Sequence, residues 1–302
     1  MDTSLRIGDH LMSLEQPVVM GILNATPDSF FAGSRTPVDD GAEALVERAR
    51  RLLDEGATIL DLGAVSTRPD SEPASEDEEM RRLAAALEPL RKALPEAVVS
   101  VDTFRASVAR RVVRDFGAAI INDVSGCVDP EMLATVAELQ VPYVLTHNPS
   151  AAAGGTAQIN AFTSAAKGLD ADSHETAVKP VDVQVAQFFA WRLQEMYDAG
   201  AADVILDPGF GFGKTMAENF ALMAALPRLV RLFPQTPFLV GISRKSMIYR
   251  LLGTSPEASL NGTSVLNTLS LQAGAHILRV HDVREAVEAV KLVQASTSDI
   301  QH

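Results

Sequence analysis

The sequence predicts an α/β fold, a single (β/α)8 barrel whose site lies at the carboxyl ends of the strands. Three observations predict it: short β-rich apolar runs recur eight times, helical patterns fill the stretches between them, and the runs tend to end in polar residues. Most runs are unbroken rather than alternating, as expected of parallel strands covered on both faces. At 302 residues the chain is long for one domain, but a barrel of this class fills about 250 residues by itself.

The elements follow in order. Residues 1–17 form an N-terminal extension, 18–295 the barrel and 296–302 a tail. The first run, Val18 to Leu23, is followed by the clearest helix, Asp40 to Glu55. There Ala42, Leu45, Val46, Ala49, Leu52 and Leu53 fall on one stripe and Gly56 supplies the stop. Thr58 to Leu62 is the second run, with a helix from Glu76 to Ala93 after it. The third is Val98 to Val101, and Thr103 is the predicted cap of a helix carrying Val108, Ala109, Val112 and Val113 before Gly117. Ala119 to Ile121 and Tyr143 to Leu145 are the fourth and fifth. A polar stretch near 148–181 reads as a long loop, whose length points to function or disorder rather than regular structure. A helix from Val183 to Ala199 leads to the sixth run, Val204 to Leu206. Thr215 is the predicted cap of a helix carrying Phe220, Leu222 and Met223, ahead of Phe238 to Val240. Helices over Pro256 to Ala273 and Val283 to Val293 flank the last run, His276 to Val280.

Composition narrows the function. With 47% hydrophobic and 22% charged residues the chain can bury a large core. Asp and Glu outnumber Lys and Arg by 39 to 26, a formal charge of −13 that repels nucleic acid and acidic membrane surfaces. The apolar stretch from Pro17 to Leu23 is too short to span a bilayer. A single cysteine, Cys127, excludes an intrachain disulfide framework and a Cys-rich zinc site, reads as a small core residue and fits a reducing compartment. The expected location is the cytoplasm.

Chemistry collects at the strand ends. Asn24, Asp61, Asp102, Asn122, His147, Asp207, the Ser243-Arg244-Lys245 run, and Arg279 with His281 all follow or close an apolar run. In a (β/α) barrel those ends converge on one face, so the pattern predicts a polar funnel holding carboxylates and cations together. Any one of these residues alone also reads as a helix cap or turn former. The glycine-rich stretch Pro208 to Thr215 invites a phosphate-loop reading, but that motif needs glycine where Pro208 stands. A tight turn after the sixth strand fits better, approaching a flat ligand to which Phe212 offers a ring face.

The motifs at these ends, taken together, resemble those of the dihydropteroate synthase family of pterin-binding TIM barrels. They are Gly21-Ile22-Leu23-Asn24-Ala25-Thr26-Pro27-Asp28-Ser29-Phe30, Ser66-Thr67-Arg68-Pro69, Ser100-Val101-Asp102-Thr103, Ile121 to Gly126, Asp207 to Thr215, Ser243-Arg244-Lys245-Ser246 and Arg279-Val280-His281-Asp282. They occur in that family's order and span roughly Val18 to Val293.

The resemblance implies condensation of 6-hydroxymethyl-7,8-dihydropterin pyrophosphate with p-aminobenzoate, usually with magnesium (Mg2+), and a homodimer. It implies Asp102, Asn122, Asp207, Lys245 and Arg279 as pterin contacts, with Asp102 and Lys245 taking part in catalysis. An ionised carboxylate accepts two N–H bonds from the ring edge while an ammonium donates to its carbonyl. Asn24, Arg68, Arg279, Val280 and His281 are implied for the pyrophosphate, Asn24 also for the metal, and Thr67, Pro69, Phe212 and Ser246 for p-aminobenzoate. The loops 28–35 and 66–69 are expected to fold over the site and exclude water from a pterin cation.

The sequence departs from the family pattern in places. Ala64 and Val65 stand where Gly and Glu are usual, Thr146-His147-Asn148-Pro149 replaces a Met-His-Met-Arg pattern, and Cys127 takes a common Gly position. Two other readings stay open. One is a catalytically silent pterin-binding paralogue, the other a barrel that passes a methyl group from methyltetrahydrofolate to a corrinoid protein. Pyrophosphate release separates all three.

Overall fold

The computed structural model describes residues 3–25, 38–64, 74–152, 179–201 and 203–297. Strands β3 (Val18–Asn24), β4 (Ile59–Gly63), β5 (Val98–Asp102), β6 (Ile120–Asp123), β7 (Tyr143–Thr146), β8 (Val204–Asp207), β9 (Leu239–Val240) and β10 (Ile277–Val280) form one parallel sheet. Its order, β8-β7-β6-β5-β4-β3-β10-β9, closes through a parallel bridge between Leu206 and Phe238. The result is the predicted barrel. Helices α1 (Val38–Asp54), α2 (Glu76–Ala93), α3 (Ala106–Phe116), α4 (Met132–Leu139), α5 (Pro149–Ala152), α6 (Val181–Ala199), α7 (Met216–Leu232), α8 (Ser246–Leu251), α9 (Leu260–Gln272) and α10 (Val283–Thr297) connect the strands. Among the described residues no helix is long and apolar enough to cross a membrane.

Side chains alternate between two cores, because successive strand residues point to opposite faces. Val19, Leu60, Val99, Ile121, Leu145, Leu206, Val240 and Leu278 pack outward beneath the helices. Met20, Ile59, Ile120, Val144, Ile205, Leu239 and Ile277 pack inward, filling the barrel's lower half. The N-terminal extension joins that inner core. It forms an antiparallel hairpin of β1 (Ser4–Ile7) and β2 (His10–Ser13), and Leu5 and Leu14 are buried against the inward strand residues.

The strands run on beyond the apolar residues. Most end one residue later than the apolar pattern predicts, so Asn24, Asp102 and Asp207 belong to the ladder rather than to the loops. The α2 bounds match the sequence reading, with Ser75 accepting from the Glu78 amide. Thr103 does not cap α3 with its side chain. Its hydroxyl donates to the buried Glu79, and Asp129, from the segment after β6, accepts the Ala106 amide instead. The ninth helix starts at Leu260 rather than Pro256. Short helices α4 and α8 carry too few periodic positions for the sequence to show them. Most of the long loop expected near 148–181 lies outside the described residues.

Candidate active site

On every strand but β3, the inward position changes character two residues beyond the inward apolar core. Ile59 is followed by Asp61, Val98 by Ser100, Ile120 by Asn122, Val144 by Thr146, Ile205 by Asp207, Leu239 by Gly241 and Ile277 by Arg279. Strand parity alone therefore aims two carboxylates, an amide, two hydroxyls and a guanidinium at the barrel axis. One step higher stand Asn24, Gly63 and Asp102, which lie in register across β3, β4 and β5.

These groups bind one another. Asp61, fully buried, accepts from Ser100 Oγ at 2.6 Å, Asn122 Nδ2 at 3.0 Å and Arg279 Nε at 2.7 Å. Arg279 Nη2 also reaches Asp102 Oδ2 at 3.4 Å. Burial pushes the Asp102 carboxyl up to about 7, against the pull of Arg279 and with help from the negative charges of Asp61, Asp123 and Glu79. A Cβ on Gly241 would make only ordinary contacts, 3.7 Å from Arg279 Cβ and 4.0 Å from Asp207 Oδ2, which places Gly241 beside both side chains.

Opposite stand an anion and two lysines. Asp207 accepts from the Gly209 amide at 2.8 Å, and burial raises its pKa although the Lys245 charge opposes the shift. Lys245 donates to the Phe210 carbonyl and sits 4.4 Å from the centre of the Phe212 ring. Burial brings it down to about 8 despite Asp207. Lys214 donates to the carbonyls of His147 at 3.0 Å, Gly209 at 2.8 Å and Phe212 at 3.2 Å, which ties the β8–α7 loop to the end of β7. Gly209 has φ +70, and a Cβ there would collide with the His147 carbonyl oxygen. The tight turn read from the glycines is thus required sterically.

The last two strands contribute the remaining polar groups. Ser243 Oγ accepts from the His281 amide at 3.2 Å and lies 3.0 Å from His281 Nδ1. The serine hydroxyl can both donate and accept, so it pairs with either neutral tautomer of the ring. Burial, followed by Arg279 and Arg244, lowers His281 to about 4, so the ring is neutral. Arg244, at φ 56, turns away and pairs with Asp282 at 2.9 and 2.5 Å. Val280 faces the outer core and can offer only its backbone.

The fold brings Asp102, Asn122, Asp207, Lys245 and Arg279 to one mouth, with Asn24, Phe212, Ser246 and His281 on elements around it. Thr67, Arg68 and Pro69, and the 28–35 loop, lie outside the described residues. Sequence reasoning gave no role to Ser100, to Lys214, or to Asp61 beyond its place at a strand end. Inward parity, two residues beyond an inward apolar residue, is the signal that finds the first and last. Of the departures from the family pattern, Cys127 stands at φ 64, a conformation that suits glycine. It is buried and burial pushes its thiol to about 12, so it is unreactive. Thr146 places its hydroxyl at a buried position in register with Asp207, where it has no hydrogen-bond partner among the described residues.

Comparison with known proteins points the same way. A family model described as pterin binding enzyme matches residues 20–281. The dihydropteroate synthase of Escherichia coli (strain K12) is 36% identical over 295 residues, covering 95% of this chain and 94% of its own length. That of Bacillus subtilis (strain 168) is 37% identical over 282 residues, with 93% and 89% covered. Among solved structures, Xanthomonas albilineans dihydropteroate synthase with 4-aminobenzoic acid superposes at a TM-score of 0.83, with 37% identity and 99% of both chains covered. The same enzyme in complex with 7,8-dihydropteroate gives 0.80 at 35% identity, covering 98% of this chain and 99% of that one.

Proposed function

This chain belongs to the pterin-binding enzyme family and to its dihydropteroate synthases, and from that premise we propose how its own residues carry out the reaction. The substrates are a 6-hydroxymethyl-7,8-dihydropterin pyrophosphate and p-aminobenzoate. The carbon–oxygen bond to pyrophosphate breaks, a carbon–nitrogen bond to the amine forms, and the amine loses a proton. The observation that carries the reading is the convergence of Asp102, Asn122, Asp207 and Arg279 on inward positions of four strand ends of the one barrel, with Lys245 beside them.

Asp207 and Lys245 recognise the ring from opposite polarities. Asp207 accepts from its N–H edge, and the Lys245 ammonium leaves the Phe210 carbonyl to donate to the ring carbonyl. Both charges are held in a buried setting that raises one pKa and lowers the other, and a ligand supplying their missing partners restores both charged forms. Asp102 lies beside the carbon that becomes positive and stabilises the cation electrostatically. Arg279, with the His281 ring and the Val280 backbone, takes up the charge of the leaving pyrophosphate. Because His281 is neutral, the permanent positive charge there comes from Arg279. The amine enters past Phe212 and Ser246.

A magnesium ion fits this site only as a passenger of the pyrophosphate. Among the described residues no group of three or more His, Cys, Asp or Glu could hold a metal. One neutral oxygen is well placed, since a Cβ on Gly63 would lie 3.9 Å from both Asn24 Oδ1 and Asp102 Oδ2, and its absence leaves a notch between them. Asn24 would hold the ion, which would neutralise phosphate charge while keeping most of its waters. We further propose that the protein acts in the cytoplasm and pairs as a homodimer through α8 and α9, where Leu251, Leu252, Val265 and Leu269 are exposed.

Pyrophosphate release, measured with and without p-aminobenzoate, tests the reaction and separates it from a silent pterin binder and from methyl transfer. Release dependent on both substrates is expected. Asp207→Asn should weaken pterin binding at least about 30-fold, as expected when a buried double acceptor becomes half donor, with an unchanged melting temperature. Unchanged pterin affinity in calorimetry removes Asp207 from ring recognition.

A further inference from the structure

Asp61 sits at the centre of the inward polar groups yet touches none of the substrate in the reading above. It is fully buried on β4. Its Oδ1 accepts from Ser100, and its Oδ2 accepts from both Asn122 and Arg279, so three donors from β5, β6 and β10 end on one carboxylate.

Each of those bonds has a consequence further up. An amide has one donating end and one accepting end, and the Asn122 nitrogen is committed to Asp61. One amide hydrogen is thereby spent on Asp61 and the carbonyl oxygen is turned away from it, which offers Asn122 as an acceptor for a ring N–H. Reversing the amide would set an oxygen against the Asp61 carboxylate, a buried repulsion that no partner offsets. Arg279 is constrained in the same way. With Nε held by Asp61 at 2.7 Å, the guanidinium plane is fixed and its Nη2 meets Asp102 at 3.4 Å.

Resting on the pterin-site reading above, we propose that Asp61 is a positioning residue of the reaction: without contacting substrate, it sets which end of the Asn122 amide faces the pterin and holds Arg279 within reach of Asp102. A further bond decides how it can be tested. Ser100 carries a hydroxyl, which can turn from donor to acceptor. In Asp61→Asn the new amide nitrogen can therefore replace Oδ1 and donate to Ser100, while the amide oxygen keeps the place facing Asn122 and Arg279. In Asp61→Ala both constraints vanish.

The experiment measures pyrophosphate release by the full chain and both variants, varying each substrate in turn, alongside thermal melts and calorimetric binding of the bare pterin. Asp61→Ala is expected to lower kcat/KM for the pterin pyrophosphate at least about 30-fold, about 2 kcal/mol in transition-state terms. The KM for p-aminobenzoate should stay within about two-fold, because that pocket lies outside the constrained groups. Asp61→Asn should recover the loss to within about five-fold, since it keeps both acceptor bonds. An Asn variant as impaired as the Ala variant overturns the proposal, as does an Ala variant that loses both substrates equally. If Asp61→Ala does not fold, the comparison falls to Asp61→Asn, where near-wild-type pterin binding supports the proposal and a loss above about ten-fold overturns it. A wild-type chain that releases no pyrophosphate refutes the functional reading instead, and pterin binding by the same proteins still decides the role of Asp61.

Discussion

Asp102 shows how a single residue takes its properties from its surroundings. The sequence marks it as a strand-end carboxylate, but its shift to about 7 comes from burial and from Asp61, Asp123 and Glu79, with Arg279 pulling the other way. A raised carboxyl has a definite effect on stability. Between about pH 4 and pH 7 the folded chain holds a proton that the unfolded chain has released, so Asp102 favours folding most at low pH and this contribution is lost as pH rises to about 7. Asn at this position carries no such penalty. The melting temperature of Asp102→Asn relative to wild type should therefore climb from pH 4 to 7 and level off above, read by scanning calorimetry on the ligand-free protein. A constant difference across that range would mean that Asp102 stays ionised throughout. Much of this residue-scale chemistry was legible, since Asp102, Asn122, Asp207, Lys245 and Arg279 each close or follow an apolar run. The hub was not: the Asp61–Arg279 bond joins residues 218 positions apart, and no local pattern encodes that pairing.

The elements were read well where the signal is periodic and poorly where it depends on a distant partner. Hydrophobic spacing located α1 and α2, and Thr215 caps α7 as predicted, with the reciprocal bond to Glu218 completing a capping box. The predicted cap at Thr103 failed because the helix begins only at Ala106, so Thr103 Oγ1 reaches the Arg105 amide outside it, and a carboxylate from beyond β6 took over the role. Thr215 also ends the glycine-rich loop, so its bonds hold Phe212 and Lys214 against a fixed helix start. Replacing Thr215 by Ala should cost about 1 kcal/mol and lower the melting point by roughly 2 °C for a chain of this size. The KM for p-aminobenzoate should rise with it, while pterin affinity stays near wild type, since Asp207 and Asn122 lie on strands. A variant with unchanged melting would show that Glu218 alone suffices to start the helix.

At the scale of the molecule, the two ends of the barrel interior divide the work. The lower half is apolar and closed by the N-terminal hairpin, whose Leu5 and Leu14 are buried under Met20, Ile59 and Ile277. The upper half is polar, with Asp61, Asn122, Asp207 and Arg279 inward. Leu5→Ala should therefore lower stability by about 2–5 kcal/mol, the range for a large-to-small change in a packed core, as measured by denaturant unfolding. Both KM values should stay unchanged, and a shift in either would mean that the barrel base and the site are coupled. The sequence by itself determined the eight strands, their parallel order, the end at which polar groups gather and the family. Each of these depends on periodicity or on motifs within a short stretch of chain, which local side-chain chemistry is enough to encode. The tertiary structure alone decided which of those polar groups bond to one another, that burial keeps His281 neutral and that the first residues close the barrel. Those outcomes rest on contacts between strands far apart in sequence, where burial and a neighbouring charge, rather than residue type, set the behaviour of each group.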